Sequence, residues 1–434
     1  MADAPPGRRP PAPIDRLARP FHDFLHVEAA SGLVLGACTL IALALANSPW
    51  APQWEAFWNT RVTIGAGALL LDYPLWYWVN DALMAVFFFV VGLEIKRELV
   101  VGELRDPSAR VLPVTAALGG ALVPAAIYLI FHHDGPAARG WGVPLATDIA
   151  FVVGVLALFG SRVPPALKLF VLALAIVDDL LAVVVIAAFY SSGADAALLG
   201  GAAGGLLLML ILQRLGVRAL GVYGLLGGVI WLLTLKGGVH PTVAGVALGL
   251  LAPARSLLKP EQVARVLEHA RASIHEADGK ERAELVAQTS DALREAVSPV
   301  RRLERVLHPW VAFAIIPVFA LANAGVAFSL REFADPVALA IAFALVAGKP
   351  LGILGGAWLA TRAGWTRLPD GVTWRMLTAA GVLSGIGFTM ALFIASLGLP
   401  PDQLVHGKTG VLIGSAVAAA LGAWLLARSL PRHG

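Results

Sequence analysis

Asp178 and Asp179 are consecutive carboxylates in the middle of an apolar run, Leu172 to Ile186. The surrounding stretch, 166–190, is long enough to cross a bilayer, which takes about 20 apolar residues. An ionisable group near the centre of such a helix costs about 2.5–3.5 kcal/mol on insertion scales. That cost is tolerated where the group faces a wet cavity or a partner. Two adjacent carboxylates therefore mark a cation or proton site. The plainer alternative is a buried helix of a soluble protein, with both aspartates in structural ion pairs. Consecutive residues diverge by about 100° around a helix. The two carboxylates are thus poorly placed to share one proton, and better placed for one to face an ion and the other a partner or second cavity.

Other polar groups fall inside apolar runs. Thr147-Asp148 lies in Ala146 to Phe151, Lys349 in Gly348 to Gly352, and Asp81 follows Asn80. Hard cations take oxygen ligands, and the Thr147 hydroxyl adds one to the carboxylates. Pro144 and Gly154 flank Thr147-Asp148, and a second apolar run is interrupted by Ser384-Gly385-Ile386-Gly387. Interrupted hydrophobic segments in corresponding halves of a chain point to a transporter site. A broken helix exposes two ends, partly positive at the N-terminus and partly negative at the C-terminus. Asp148 is the right type to neutralise facing N-termini, and Lys349 facing C-termini. Asp81 reads as structural.

The elements that must hold these groups are membrane helices. The chain has 434 residues, 58% hydrophobic and 14% charged, with mean hydropathy +0.76. Soluble domains carry about 25% charged residues, so a soluble enzyme with one anchor is excluded. Twelve spans are predicted: 29–48, 75–95, 110–131, 142–159, 166–190, 196–213, 219–236, 238–253, 309–328, 336–362, 375–398 and 407–428. Alternating sides from a cytoplasmic N-terminus puts most of the 33 Lys and Arg inside, as the positive-inside rule requires, with the C-terminus cytoplasmic too. That rule accounts for the net charge of +4 without a nucleic-acid partner. The single cysteine, Cys38, forms no intrachain disulfide and no cysteine metal cluster.

Residues 1–28 read as a Pro- and Arg-rich tail, 29–428 as the helical domain and 429–434 as a short C-terminal tail. Ala44-Leu45-Ala46 resembles a signal-peptidase site. The long charged segment before it, and Gly32 and Gly36 at packing spacing, favour an uncleaved first helix. Residues 61–71 alternate weakly and predict an extracytoplasmic β-hairpin, whose open edge suits a homodimer. Residues 255–300 carry both charge signs beside a narrow apolar face (Val263, Val266, Leu267 and Ala270), and predict a cytoplasmic helix or helix pair, read as a spacer with a regulatory module as the alternative.

Soluble-enzyme motifs are missing. His275-Glu276 has no second histidine at zinc-protease spacing, and Asp402 occupies the first-glycine position of a phosphate loop ending Gly407-Lys408-Thr409. An intramembrane aspartyl protease needs aspartates on separate helices, and a passive cation channel is poorly served by a lysine in its path. A cation/proton antiporter fits best, with another proton-coupled cation transporter as the alternative. No cofactor is expected; the substrates are Na+, Li+ and H+, and the surrounding partner is lipid.

The chain resembles the NhaA family of bacterial Na+/H+ antiporters. The matching stretches are Asn80–Phe88, Gly92–Glu98, Ala146–Phe151, Gly160–Val163, Ala175–Leu180, Gly238–His240, Val306–Trp310, Gly348–Gly352 and Gly385–Thr389. They span 27–428. The resemblance implies an all-α protein of twelve spans in the inner membrane, with an inverted repeat of spans 3–5 and 10–12 and crossed broken helices in spans 4 and 11. The rule on interrupted helices was itself drawn partly from this family. The resemblance further implies ion binding at Asp178 and Asp179, with Thr147 and Asp148 nearby and Lys349 paired with Asp178. It also implies a homodimer through the hairpin and activation at alkaline pH through Glu94, Arg97, Glu98, His240, Glu304 and His308. Arg305 stands where a family histidine can stand, and arginine does not titrate near neutrality. The 255–300 segment is longer than the family leads one to expect.

Overall fold

The computed structural model describes residues 28–430 apart from 66–69, 192, 218, 257, 276–277 and 328. Most of the predicted N-terminal tail (1–27), the hairpin tip and the end of the C-terminal tail (431–434) lie outside the described residues. The rest is mostly helical. Helix α1 (Glu28–Ala46) and α2 (Ala51–Asn59) meet at 114°. Strands β1 (Arg61–Ile64) and β2 (Leu71–Pro74) pair antiparallel, Arg61 opposite Pro74. Then come α3 (Leu75–Val100), α4 (Pro107–Phe131), a 3₁₀ segment (Pro136–Leu145), α5 (Ile149–Leu158) and α6 (Pro165–Phe189). Helices α7 (Ala196–Arg214), α8 (Leu220–Lys236) and α9 (Pro241–Leu251) follow. The charged pair α10 (Pro260–Ser273) and α11 (Gly279–Ala296) precedes α12 (Pro299–Asn323) and α13 (Pro336–Arg362). The chain closes with α14 (Trp374–Leu383), α15 (Phe388–Gly398) and α16 (Pro401–Ser429).

Eight helical stretches are long and apolar enough to cross a membrane, or up to ten if each bent pair is one span; α8 and α9 are apolar but shorter. The most deeply packed is α6, apolar on every side apart from Lys168 in its first turn and its two aspartates. A helix hydrophobic all round belongs inside a bundle. Against it runs α4, and α4 in turn packs on α13 so closely that the backbones of Gly119 and Gly352 touch; neither position has room for a Cβ. Small residues bring membrane helices into such contact.

Both expected breaks are present. Ala146–Asp148 is extended between the 3₁₀ segment and α5, and residues 384–387 separate α14 from α15 with a 49° bend. Pro144 and the glycines at 385 and 387 sit at these interruptions, where regular helical bonds end. Turns of π-helix also interrupt the helices at Trp78–Leu83, Val311–Ile315 and Ala344–Gly348, the last ending immediately before Lys349. Such turns frequently mark functional positions in helices.

Two expectations are modified. The hairpin extends past 71 to Pro74, because Asp72 bonds Arg61 at 2.8 Å and Tyr73 stacks on Tyr77. Of the two glycines proposed for close packing in α1, Gly32 faces Gly154 of α5, whereas Gly36 has no neighbour within 4 Å. The insert is a helix pair: Asp278 caps α11 by accepting from Lys280 N and Glu281 N. Its chain leaves at Pro253 and returns at Val300, whose N–H donates to the Pro253 carbonyl.

Candidate functional site

Asp178 and Asp179 lie midway along α6, 2% and 1% exposed. Lys349, from α13, is fully buried, and its ammonium sits 2.7 Å from Asp178 Oδ2. It also donates to the Leu145 carbonyl, the last of the 3₁₀ segment. The ammonium thus joins a carboxylate and a half-helix C-terminus, two negative partners for a group that is costly to bury alone. The Thr147 hydroxyl lies 2.7 Å from Asp178 Oδ2 and 2.9 Å from the Ser384 carbonyl at the end of α14. A hydroxyl carries one hydrogen, so these two acceptors compete for it.

Asp148 does a different job. Its Oδ1 accepts from Phe151 N–H in the first turn of α5, at 3.3 Å. Its Oδ2 accepts from Thr389 N–H in the first turn of α15, at 3.0 Å, and from the Thr389 hydroxyl. One carboxylate therefore caps two half-helix N-termini, where negative charge is stabilised. The breaks are tied directly as well, because Asp148 N–H donates to the Ile386 carbonyl at 2.7 Å.

Asp148 is well bonded, whereas Asp178 and Asp179 retain bonding capacity. Oδ1 of each is buried without a hydrogen-bond partner among the described residues. Buried polar atoms are normally paired, so two orphaned carboxylate oxygens on adjacent residues call for an explanation. Carboxylate oxygens and a hydroxyl such as that of Thr147 are the ligand types that hard cations accept.

The residues expected to respond to pH divide into two groups. Arg97 of α3 bonds Glu98 at 3.0 Å and Glu304 of α12 at 2.9 Å, and His308 lies 3.8 Å from Glu94. These five form one cluster between α3 and α12. His240 is not among them. It precedes α9, its Nε2 is 3.1 Å from Asp81, and its Nδ1 is 2.8 Å from the Thr242 hydroxyl. Asp81 and Glu94 are thirteen residues apart on α3, roughly 20 Å along the axis. Arg305, beside Glu304, has an exposed side chain.

Sequence reasoning missed several partners. Thr389 completes the Asp148 cap, and Ser415 of α16 accepts from Phe388 N–H at 3.0 Å. Asn323 exchanges side-chain hydrogen bonds with Asn80, the shorter at 2.7 Å. A lone amide in an apolar run was the available signal for Asn323; nothing local indicates that Asn80 is its partner.

A lysine and three aspartates buried where two interrupted helices meet, inside an apolar multi-pass bundle, are the build of a secondary transporter, a rule drawn partly from the family that the chain matches. The chain belongs to the Na+/H+ antiporter 1 family, whose model matches residues 22–426. It is similar to the Na(+)/H(+) antiporter NhaA of Rhodopirellula baltica, 48% identical over 98% of this chain and 97% of the relative. The NhaA of Rhizobium meliloti is 45% identical over 96% of each chain. The protein named NhaA 2 of Sorangium cellulosum is 48% identical over 96% of this chain and 92% of its own.

Proposed function

We propose that the chain exchanges Na+, or Li+, for protons across the bacterial inner membrane, with Asp178 and Asp179 taking the cation. The observation that carries this reading is the pair of orphaned Oδ1 atoms in a site with no other role for them. The names of the relatives support the same exchange.

The mechanism is a competition. With no Na+ bound, Lys349 is protonated and held by Asp178, and Asp179 carries a proton. Na+ takes oxygens from both aspartates. Asp179 then gives up its proton, and Lys349, without its carboxylate partner, gives up a second. Two protons leave for each Na+ that enters, so each cycle moves one net charge and the groups titrate as a coupled unit. Asp148 keeps the half-helix N-termini together throughout, and Thr147 adds its oxygen to the ion's shell.

The eight long helices, α1, the bent α14–α15 pair, and the shorter α8 and α9 make twelve spans. The third to fifth and tenth to twelfth form the inverted repeat, each group with a broken middle member. Both termini and the α10–α11 pair are cytoplasmic. The hairpin joins two copies. The Glu94–Arg97–Glu98–Glu304–His308 cluster and His240 set the pH response.

A pH gradient across sealed vesicles tests the exchange. Added Na+ or Li+ should collapse it at alkaline pH; a response to K+ alone would assign the site to another cation/proton transporter, and no response would refute coupling. Single cysteines at 270 and 135 test the topology. Labelling of position 270 from the extracytoplasmic side sinks it.

A further inference from the structure

The segment Pro136–Leu145 is a 3₁₀ helix ten residues long. Runs beyond three or four residues are uncommon, because the hydrogen bonds are poorer than in an α-helix. Something outside the segment must hold this one, and two tyrosines do. Tyr128 of α4, fully buried, donates to the Ala137 carbonyl at 2.8 Å. Tyr190, at the end of α6, donates to the Arg139 carbonyl at 2.7 Å and accepts from Gly142 N–H at 3.1 Å. The fit around Tyr190 is tight. A Cβ at Gly142 would overlap its hydroxyl, and one at Gly398, the last residue of α15, would lie 2.7 Å from its ring. Tyr190 thus ties the helix carrying both aspartates to the outer halves of both broken spans.

We propose that Tyr190, assisted by Tyr128, is a positioning residue that keeps Pro136–Leu145 in its elongated 3₁₀ form and so sets the reach of the Leu145 carbonyl to Lys349. The proposal rests on the reading of Asp178, Asp179 and Lys349 as the exchange site. The 3₁₀ rise is about 2.0 Å per residue against about 1.5 Å in an α-helix, so relaxation of ten residues would shorten the segment by about 5 Å. A retraction of even part of that length takes the carbonyl out of hydrogen-bond range. The ammonium then leans on Asp178 alone, and Na+ must compete with a tighter pair. The concentration of Na+ giving half-maximal exchange rises, while the maximal rate changes little.

Tyr190→Phe tests this in full-length protein reconstituted in lipid. Hydrogen–deuterium exchange reads the latch, and Na+-dependent proton release reads the site. The expected result is at least about tenfold faster amide exchange confined to 136–145, with half-saturating Na+ raised about threefold or more and the maximal rate within about twofold. Unchanged protection of 136–145 overturns the latch. Faster exchange with unchanged half-saturating Na+ overturns the positioning role, because a merely structural tyrosine would lower the amount of folded protein and leave that concentration alone. If wild-type protein exchanges no cation, the functional reading fails while the protection measurement still judges the latch. Should Tyr190→Phe fail to accumulate, Tyr128→Phe, which frees only the Ala137 carbonyl, is read by the same two measurements and should move both in the same direction by less.

Discussion

Two charged regions of this protein are built on opposite plans. At the meeting of the broken helices, Lys349, Asp148, Asp178 and Asp179 are almost wholly buried. Their partners are backbone ends, the hydroxyls of Thr147 and Thr389 and, for Lys349 and Asp178, one another, and two carboxylate oxygens remain unpaired. Between α3 and α12, Arg97 is bracketed by Glu98 and Glu304 with its side chain 29% exposed, and His308 is 66% exposed beside Glu94. Glu98 and Glu304 are themselves largely buried, and Glu304 Oε1 also lacks a partner among the described residues, but Arg97 and His308 reach water, which screens their interactions. Changing one charge in the dry site leaves another without compensation. A change in the wet cluster shifts a balance among several groups. The first plan suits chemistry that must not leak, and the second suits adjustment.

The sharpest way to break this contrast is to neutralise the aspartates. Asp178→Asn and Asp179→Asn should each abolish exchange while folded protein remains in the membrane, measured as vesicle exchange against membrane-inserted protein. Asp148→Asn should be milder, a loss on the order of tenfold, because its one amide oxygen still accepts from one of the two helix N-termini, while its NH2 cannot accept from the other and no charge remains. Normal rate and affinity for Na+ in Asp179→Asn would remove that carboxylate from the site.

Next in size is Lys349→Gln. Removing one partner of a buried pair costs about 3–5 kcal/mol, so the variant should melt at a lower temperature. If Lys349 carries a proton, it should also exchange without responding to voltage, read as Na+ uptake by proteoliposomes with and without an imposed potential. A surviving voltage response would leave Lys349 as a fixed counter-charge, with both protons on the aspartates.

Smaller again is Arg97→Ala, which takes one partner from each of Glu98 and Glu304. The pH dependence of exchange should move by about half a unit or more, with the best rate within about threefold of wild type, since partly exposed pairs are worth about 1 kcal/mol or less each. Exchange measured across neutral to alkaline pH decides it. Loss of exchange at every pH would mean that the cluster belongs to the transport site, and the two plans would collapse into one.

The smallest effect is expected at the hairpin. Hydrogen bonds from Arg61 and then Thr63 hold the Asp72 carboxyl below its ordinary range. A carboxyl with a lowered folded-state pKa stabilises above its unfolded value, and the contribution disappears as pH falls through the folded one. Asp72→Asn should therefore loosen the β1–β2 pairing at neutral pH and differ little from wild type in strong acid, as amide exchange of the hairpin would report. Steady-state transport should change by less than about twofold, the usual scale for an exposed pair.

What the sequence determined by itself is local. Apolar run lengths located the helices, because a bilayer imposes a length on each. Proline and glycine beside polar residues marked both interruptions, because a broken helix frees backbone groups that must find other partners. The rarity of charge in such runs marked Asp148, Asp178, Asp179 and Lys349. The tertiary structure decided who meets whom. Lys349 reaches a carbonyl 204 residues away, Arg97 pairs with a glutamate 207 residues on, and Asp148 caps a helix that begins 240 residues later. It also separated His240 from the other expected pH-responsive residues and gave Tyr190 a role that no neighbouring residue suggests. Hydropathy and helix-breaking act on a segment by itself, so they can be read along the chain. Hydrogen-bond partners in a dry interior are chosen by packing, and that choice exists only once the helices are assembled.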